Sequence, residues 1–77
     1  MQTTIRAKAG DLKFIAYSGV EEAISKYEKY HIKCDILSSE LKILSKDYIL
    51  LLDGDRHNID NYISFLRLKG FKIKKVK

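Results

Sequence analysis

The stretch that decides the fold is residues 48–74, which read YILLLDGDRHNIDNYISFLRLKGFKIK. Its first five residues are apolar or aromatic, as expected of a central strand that is buried on both faces or carries an interface. Asp55 or Asn58 can then cap a helix, and Gly70 is placed to end it in a left-handed conformation. The apolar stripe of that helix consists of Ile59, Tyr62, Ile63 and Leu66. The stretch therefore predicts a strand, a helix and, from Phe71, a final alternating strand.

The first half of the chain predicts a strand followed by a helix. Thr3–Ala9 alternates apolar and polar residues, which is typical of a half-buried strand. Ser18 and Glu21 have the spacing of a capping box, so we predict a helix over about residues 19–30. Its apolar stripe consists of Val20, Ala23, Ile24 and Tyr27. Leu12–Tyr17 is either a hairpin strand or a loop that places apolar residues in the core, and we favour an extended, irregular segment.

The middle of the chain predicts another strand and a hairpin. Ile32–Leu37 alternates, with Ile32, Cys34 and Ile36 expected to point inward. Residues 38–40 break the alternation, as a bulge would, before Leu41 and Ile43 resume it. Residues 45–47 are Ser-Lys-Asp, which favour a polar turn before the apolar strand at 48–52.

The resulting order, β-α-β-β-α-β, predicts an α+β fold of the ferredoxin-like class over a single domain, residues 1–77. In that fold one antiparallel sheet carries both helices on one face. The other face is open. Because the apolar residues 48–52 run along a central strand, we expect a partner or a second copy to cover part of it.

Composition and charge restrict the classes of protein to which this chain can belong. The chain has 77 residues, a formal net charge of +5, one cysteine and no proline. No apolar run reaches the roughly 18 residues of a membrane span, and no signal peptide is recognisable, so we expect a cytoplasmic protein without membrane insertion. The positive charge is concentrated at the end of the chain, in Lys69, Lys72, Lys74, Lys75 and Lys77. Such lysines either protect an edge strand from pairing or contact an anionic partner such as nucleic acid.

The residues that could carry chemistry have simpler structural roles. His31 follows a helix C-terminus, which favours its protonated form. His57 lies among Asp53, Asp55 and Asp60, but turns and helix caps account for these residues, and hard cations need more oxygen ligands at fixed spacing. Cys34 is expected to act as a small buried hydrophobe. Because no phosphate loop, histidine pair or carboxylate dyad is present, we predict no enzyme, no metal site and no cofactor.

The tyrosines do not form an RNA-binding surface. RNA-recognition modules of this topology stack bases on aromatic residues of their two central strands. The first strand here has no aromatic residue, and the third has only Tyr48, at its start. Tyr27, Tyr30 and Tyr62 lie on predicted helices and are expected to belong to the core or its rim.

From Ala23 onwards the chain resembles the NIL domain, a member of the ACT-like ferredoxin folds. The resemblance rests on a helix that ends in an aromatic residue, a short strand, a strand ending in Leu-x-Gly, a second helix and a last strand. The matching residues are Ile24-Ser-Lys-Tyr27 and Tyr30, Cys34-Asp35-Ile36-Leu37, Leu50-Leu-Leu-Asp-Gly54, Ile59-Asp-Asn-Tyr62-Ile-Ser-Phe-Leu66 and Gly70-Phe-Lys-Ile73. The first 18 residues do not follow the family, since the proline before its first helix is missing.

The resemblance implies a regulatory module that pairs with a second copy and holds a small amino-acid-like ligand at Asp35, Ile36 and Leu37. Asp35 replaces the ligand-facing asparagine of the family. An ionised carboxylate repels the carboxylate that an amide would bind, but it can pair with an ammonium or guanidinium group. The alternatives are a nucleic-acid-binding domain or a protein-interaction adaptor that uses the basic last strand.

Overall fold

The computed structural model describes residues 1–10, 19–43 and 45–76. Within these ranges the order of elements is the predicted β-α-β-β-α-β. The strands are β1 (Gln2–Ala9), β2 (Lys33–Leu41), β3 (Lys46–Asp53) and β4 (Phe71–Val76). The helices are α1 (Gly19–Ile24), which continues as a 3-10 helix over Ser25–Tyr30, and α2 (Arg56–Leu68). The predicted segment Leu12–Tyr17 and the cap residue Ser18 lie outside the described residues.

The four strands form one antiparallel sheet in the order β2-β3-β1-β4, so β1 lies in its centre. The alternation of β1 separates the two faces of the sheet. Ile5, Ala7 and Ala9 are completely buried, whereas Arg6 and Lys8 are exposed on the other side. We call that second side the open face. It consists of the even-numbered residues of β1 and the residues paired with them on β2, β3 and β4.

The core lies between the other face of the sheet and the helices. β3 contributes Tyr48, Leu50 and Leu52, all buried. The predicted stripe of α2 is buried in full, as are Val20, Ala23 and Ile24 of α1. These contacts confirm the apolar patterns from which both helices were predicted. Phe71 is buried at the start of β4, and Ile73 packs against the same core.

Tyr62 of α2 contacts α1 and its 3-10 extension within this core. Its hydroxyl group donates a hydrogen bond of 2.7 Å to the carbonyl oxygen of Ile24. The edge of its ring faces Tyr30 at 5.8 Å between ring centroids, and Tyr30 contacts Phe65 at 5.5 Å. Burial raises the pKa of Tyr62, so the hydroxyl remains a donor. The prediction that the helical tyrosines belong to the core or its rim is confirmed.

The hairpin between β2 and β3 differs from the prediction in its boundaries. Lys46 and Asp47 belong to β3 and not to the turn, which lies before them and is closed by the Lys42 amide donating to the Ser45 carbonyl at 2.7 Å. Both polar residues of β3 have charged partners outside the strand: Lys46 Nζ lies 3.2 Å from Glu21 Oε1, and Asp47 Oδ2 lies 3.0 Å from Lys42 Nζ. β3 therefore begins two residues before its predicted start at Tyr48, because Lys46 is paired with Ala9 of β1 and with Leu41 of β2.

The observed β2 also differs from the sequence prediction in two details. The bulge is confirmed, but the register shifts between Ile36 and Ser38, one residue earlier than the predicted break at 38–40. Ile43 does not resume the strand and is 96% exposed, since β2 ends at Leu41. Ile36 faces the helical layer as predicted and yet stays 53% exposed, because the described part of α1 and its extension does not cover this part of the edge strand.

The ends of the helices follow the predicted residues. Asp55 occupies the N-cap position of α2 with an extended backbone, although its side chain makes no capping hydrogen bond there. Gly70 follows α2 with φ of 109°, a left-handed conformation that favours glycine. His31 ends the 3-10 segment with φ of 58°, and its amide donates to the carbonyl oxygen of Glu28 at 3.1 Å. The predicted helix over 19–30 is therefore confirmed in extent, although its second half is wound as a 3-10 helix. No helix in the described ranges is long and apolar enough to cross a bilayer.

Gly54 is required for close packing at the end of β3. A Cβ atom at this position would lie 2.8 Å from Ile32 Cγ2 and 3.3 Å from Ile32 Cα. Gly54→Ala should therefore lower the free energy of unfolding by about 1–3 kcal/mol, the usual effect of overpacking. Denaturant unfolding measures this change. Gly10→Ala is the matched control, because an added methyl group there meets no atom of the described residues within 4 Å. Equal stability of the two variants would contradict the packing described.

Candidate functional site

A groove lies between α1 with its extension and the outer strand β2. Its volume is about 300 Å³. We call it the β2 groove; its lining consists of Glu21, Ile24, Ser25, Tyr27, Cys34, Asp35 and Ile36. The apolar floor and a few polar groups at the rim are the combination found in small-molecule sites. Two of the three residues predicted to bind a ligand, Asp35 and Ile36, border this groove.

The three predicted ligand residues do not point to the same side. Asp35 pairs with Leu51 in the ladder and therefore lies on the open face, whereas Ile36 pairs with the buried Leu50 and lies on the helical side. Leu37 is the extra residue of the bulge and is 56% exposed. A ligand that touched all three would have to lie along the edge of the sheet and reach around β2 from the groove to the open face.

β2 is an outer strand in the described sheet, since it pairs only with β3. Its other edge therefore presents backbone N–H and C=O groups that the ladder does not use. Apart from the half-buried Cys34, every side chain of β2 is exposed. Backbone donors and acceptors thus lie beside the exposed apolar groups of Ile36 and Leu37. This edge can bind an extended or zwitterionic molecule by hydrogen bonds and bury an apolar side chain.

Cys34 lies in the floor of the β2 groove and is directed inward, as predicted. Its Sγ atom lies 3.9 Å from the hydroxyl group of Tyr62. Burial raises the pKa of the Cys34 thiol, and the neighbouring Asp35 carboxylate also raises it. A thiol in such surroundings stays protonated at neutral pH and is a weak nucleophile. Cys34 is therefore placed to shape the floor of the groove.

The C-terminal lysines are distributed over different surfaces. Lys69 follows α2, with its Nζ 5.7 Å from the centre of the Phe65 ring. Lys72 and Lys74 lie on the open face, directly opposite Lys8 and Arg6 of β1. Lys75 pairs with Ile5 and so lies on the helical side. Lys77 lies outside the described residues. The linear basic tract is thus divided, and two of its lysines join a cluster of four cations that sequence reasoning did not anticipate.

A second groove, with a volume of about 390 Å³, lies between α2 and the first helix, which consists of α1 and its 3-10 extension. Lys26, Lys29 and Lys69 line it together with Glu22 and the rings of Tyr30 and Phe65. Sequence reasoning did not single out this groove. The spacing of Lys26 and Lys29 places them on one side of a helix, but only the packing of α2 brings Lys69 and Phe65 beside them.

The histidines occupy helix ends. His31 ends the 3-10 segment, and His57 lies in the first turn of α2. Across the ranges that the structure describes, no three His, Cys, Asp or Glu side chains come together as metal ligands would. Asp53, Asp55 and Asp60 have other positions: Asp53 lies 3.9 Å from the N-terminal amine, Asp55 precedes α2, and Asp60 lies 4.0 Å from Arg56 Nε.

Comparison with known proteins gives matches in structure only. No protein-family model matches this chain, and neither does any curated protein sequence. The resemblance to the NIL domain therefore stays a prediction.

Solved structures share the fold. The de novo designed protein Ferredog-Diesel superposes with a TM-score of 0.67 at 10% identity, covering 100% of this chain and 85% of the designed one. The de novo designed protein Foldit4 gives 0.56 at 10% identity, covering 97% and 91%. A crystal structure described as a candidate glycine cleavage system transcriptional repressor gives 0.56 at 19% identity; it covers 99% of this chain, which spans 46% of that protein's length. These matches confirm the predicted ferredoxin-like fold.

Proposed function

We propose that this chain is a small regulatory module of the ACT-like kind, without enzymatic activity, which binds a small amino-acid-like ligand and docks or dimerises through its sheet. The observation that carries the proposal is the β2 groove with the exposed edge of β2 beside it. The sharing of its fold with a candidate transcriptional repressor is consistent with a regulatory role. The sequence resemblance to the NIL domain leads to the same class of function.

The chemistry of the groove supports an amino-acid-like ligand. Asp35 and Glu21 bring carboxylates to the rim, and Glu21 already pairs with Lys46. Asp35 makes no ion pair within the described residues and is exposed, so it is available for an ammonium or guanidinium group. The unpaired backbone of β2 supplies N–H donors for a carboxylate. A zwitterion with an apolar side chain fits these groups, its side chain resting against Ile36.

Binding of free amino acids is the direct test. Amide NMR spectra recorded with a pool of amino acids should show shifts clustered at residues 34–37. Asp35→Ala should weaken the response about tenfold, the effect of losing one charge-assisted hydrogen bond, and leave the spectrum otherwise folded. Glu28→Ala removes an exposed carboxylate from the 3-10 segment and is the matched control. A silent spectrum would reject free amino acids as ligands, and unchanged binding by Asp35→Ala would remove Asp35 from the site.

A second candidate function is binding of nucleic acid, which the cation cluster of the open face favours. Arg6, Lys8, Lys72 and Lys74 lie in two directly opposed pairs, and none of them forms an ion pair within the described part of the chain. Four adjacent cations can neutralise neighbouring phosphates. Exposed aromatic residues, on which bases would stack, are missing from the described open face, so any such binding would depend on phosphate contacts alone.

Salt dependence tests this second function. If the cluster binds phosphates, the affinity for a short oligonucleotide should fall steeply between about 50 and 200 mM salt, because bound counterions are released. Lys72→Glu combined with Lys74→Glu should abolish the binding. Fluorescence anisotropy of a labelled oligonucleotide measures both effects. Salt-independent binding, or binding that the double variant retains, would exclude the cluster as a phosphate site.

A further inference from the structure

One row of the open face consists of four charged residues that lie side by side on four adjacent strands. In the ladders Glu40 pairs with Asp47, Asp47 with Lys8, and Lys8 with Lys72. We call this set the charged row. From β2 to β4 its signs are negative, negative, positive and positive. Opposite residues in antiparallel strands project on the same face with Cβ atoms about 5 Å apart, so each half of the row places like charges together.

The two outer pairs of the row, Glu40 with Asp47 and Lys8 with Lys72, are unfavourable in an isolated domain, whereas the central pair of Asp47 with Lys8 is favourable. Like charges directly opposite each other destabilise a sheet, and the same applies to Arg6 opposite Lys74 in the next row. Among the described residues, Asp47 is the one member of the row with an ion-pair partner, Lys42 at 3.0 Å. Glu40 and Lys72 are exposed and form no ion pair within the described residues. A partner surface whose charges run in the reverse order would place a positive charge over each negative one, and would so relieve the repulsion in both halves of the row.

We infer that this partner is a second copy of the chain, packed face to face with a two-fold axis parallel to the strands and located between β3 and β1. This operation superimposes β2 on β4 and β3 on β1. The charged row then meets itself with reversed signs, so Glu40 lies over Lys72 of the second copy and Asp47 over its Lys8. The inference rests on the proposed function only in taking the sheet as the dimerising surface.

A two-fold axis that also lies parallel to the sheet, but runs across the strands, does not fit the charge pattern. It would superimpose β4 on β4 and bring Lys72 and Lys74 close to their own copies.

The favoured axis also brings apolar surface to the centre of the interface. Ile49 and Leu51 project on the open face from β3, next to Arg6 and Thr4 of β1, and both leucine and isoleucine are only partly buried. Contact with the second copy would remove these groups from water.

The size of the open face sets the expected strength of association. Four strands about 4.8 Å apart and six to nine residues long offer roughly 500 Å² per copy. Two copies would bury roughly 1,000 Å², the lower end of specific interfaces. We therefore expect a micromolar dimer that weakens as salt screens the exposed pairs. The twist of stacked sheets, about 30°, shifts the outer strands relative to each other, and the long lysine side chains can span that shift.

Charge reversal at the two ends of the row tests the inference without touching the ligand groove. Glu40→Lys would place a lysine over Lys72, and Lys72→Glu would place a glutamate over Glu40, in each case twice by symmetry. Each variant should weaken self-association at least about tenfold in analytical ultracentrifugation. An equimolar mixture of the two variants should recover dimers, because residue 40 of one then attracts residue 72 of the other. The double variant Glu40→Lys/Lys72→Glu should recover them as well.

Lys75→Glu is the matched control, since it makes the same change of charge in the same strand but on the helical side of the sheet. It should leave the dimer unchanged. A wild-type chain that stays monomeric at millimolar concentration would overturn the inference, as would dimers that neither Glu40→Lys nor Lys72→Glu weakens. If the cluster serves nucleic acid instead, Glu40→Lys should strengthen oligonucleotide binding and the mixture should recover no dimer. All of these measurements are made without amino acids, because Asp35 lies on the same open face and a ligand there could itself affect pairing.

Discussion

The structure depends on the register of β1 between β3 and β4. Ile5, Ala7 and Ala9 are completely buried, and two of the three are alanines. Small side chains in the central strand let the helical layer approach the sheet closely, while larger core residues come from β3 and α2. Because side chains alternate in a strand, the same register sends Arg6 and Lys8 to the open face. A shift by one residue would bury both cations and expose the three apolar residues.

That single constraint also determines the electrostatics of the open face. β4 must place Phe71 and Ile73 in the core, so Lys72 and Lys74 join the cations of β1. β3 must bury its own apolar residues on the helical side, so Asp47 and Asp53 face outward beside β2. The separation of negative from positive halves is therefore a consequence of packing the core. The same surface is then available for a second copy or for an anionic partner.

Elements of the fold could be predicted from the sequence because each one carries its own signal. The apolar stripes of both helices, the alternation of β1 and the glycine after α2 depend on residues close together in the chain. The limits of β3 could not be predicted in this way. Lys46 and Asp47 have the polar character of turn residues, and their ladder partners on β1 and β2 make them part of the strand. Pairing with a strand far away in the chain has no local sequence pattern.

Only part of the candidate site could be predicted, because the rest of it also depends on which strands and helices are neighbours. Asp35 and Ile36 border a groove, but the prediction treated three consecutive residues as one site, whereas strand geometry places the first two on opposite faces. The basic tract is continuous in the sequence, and the strand ladders divide its lysines between the two faces of the sheet. Neither the charged row nor the groove with three lysines could be found without knowing which strands and helices are neighbours. The row joins residues from four strands, at positions 8, 40, 47 and 72.

Backbone contacts across the sheet are the most direct measure of the register of β1. In NMR spectra of the labelled chain, interstrand backbone NOEs should connect residue 8 with residues 47 and 72, and residue 6 with residues 49 and 74. That pattern would confirm both the buried alanines and the charged row. Hα–Hα or HN–HN NOEs, which report direct partners, that instead connect residue 8 with residue 71 or 73 would place the lysine opposite a core position and contradict the account.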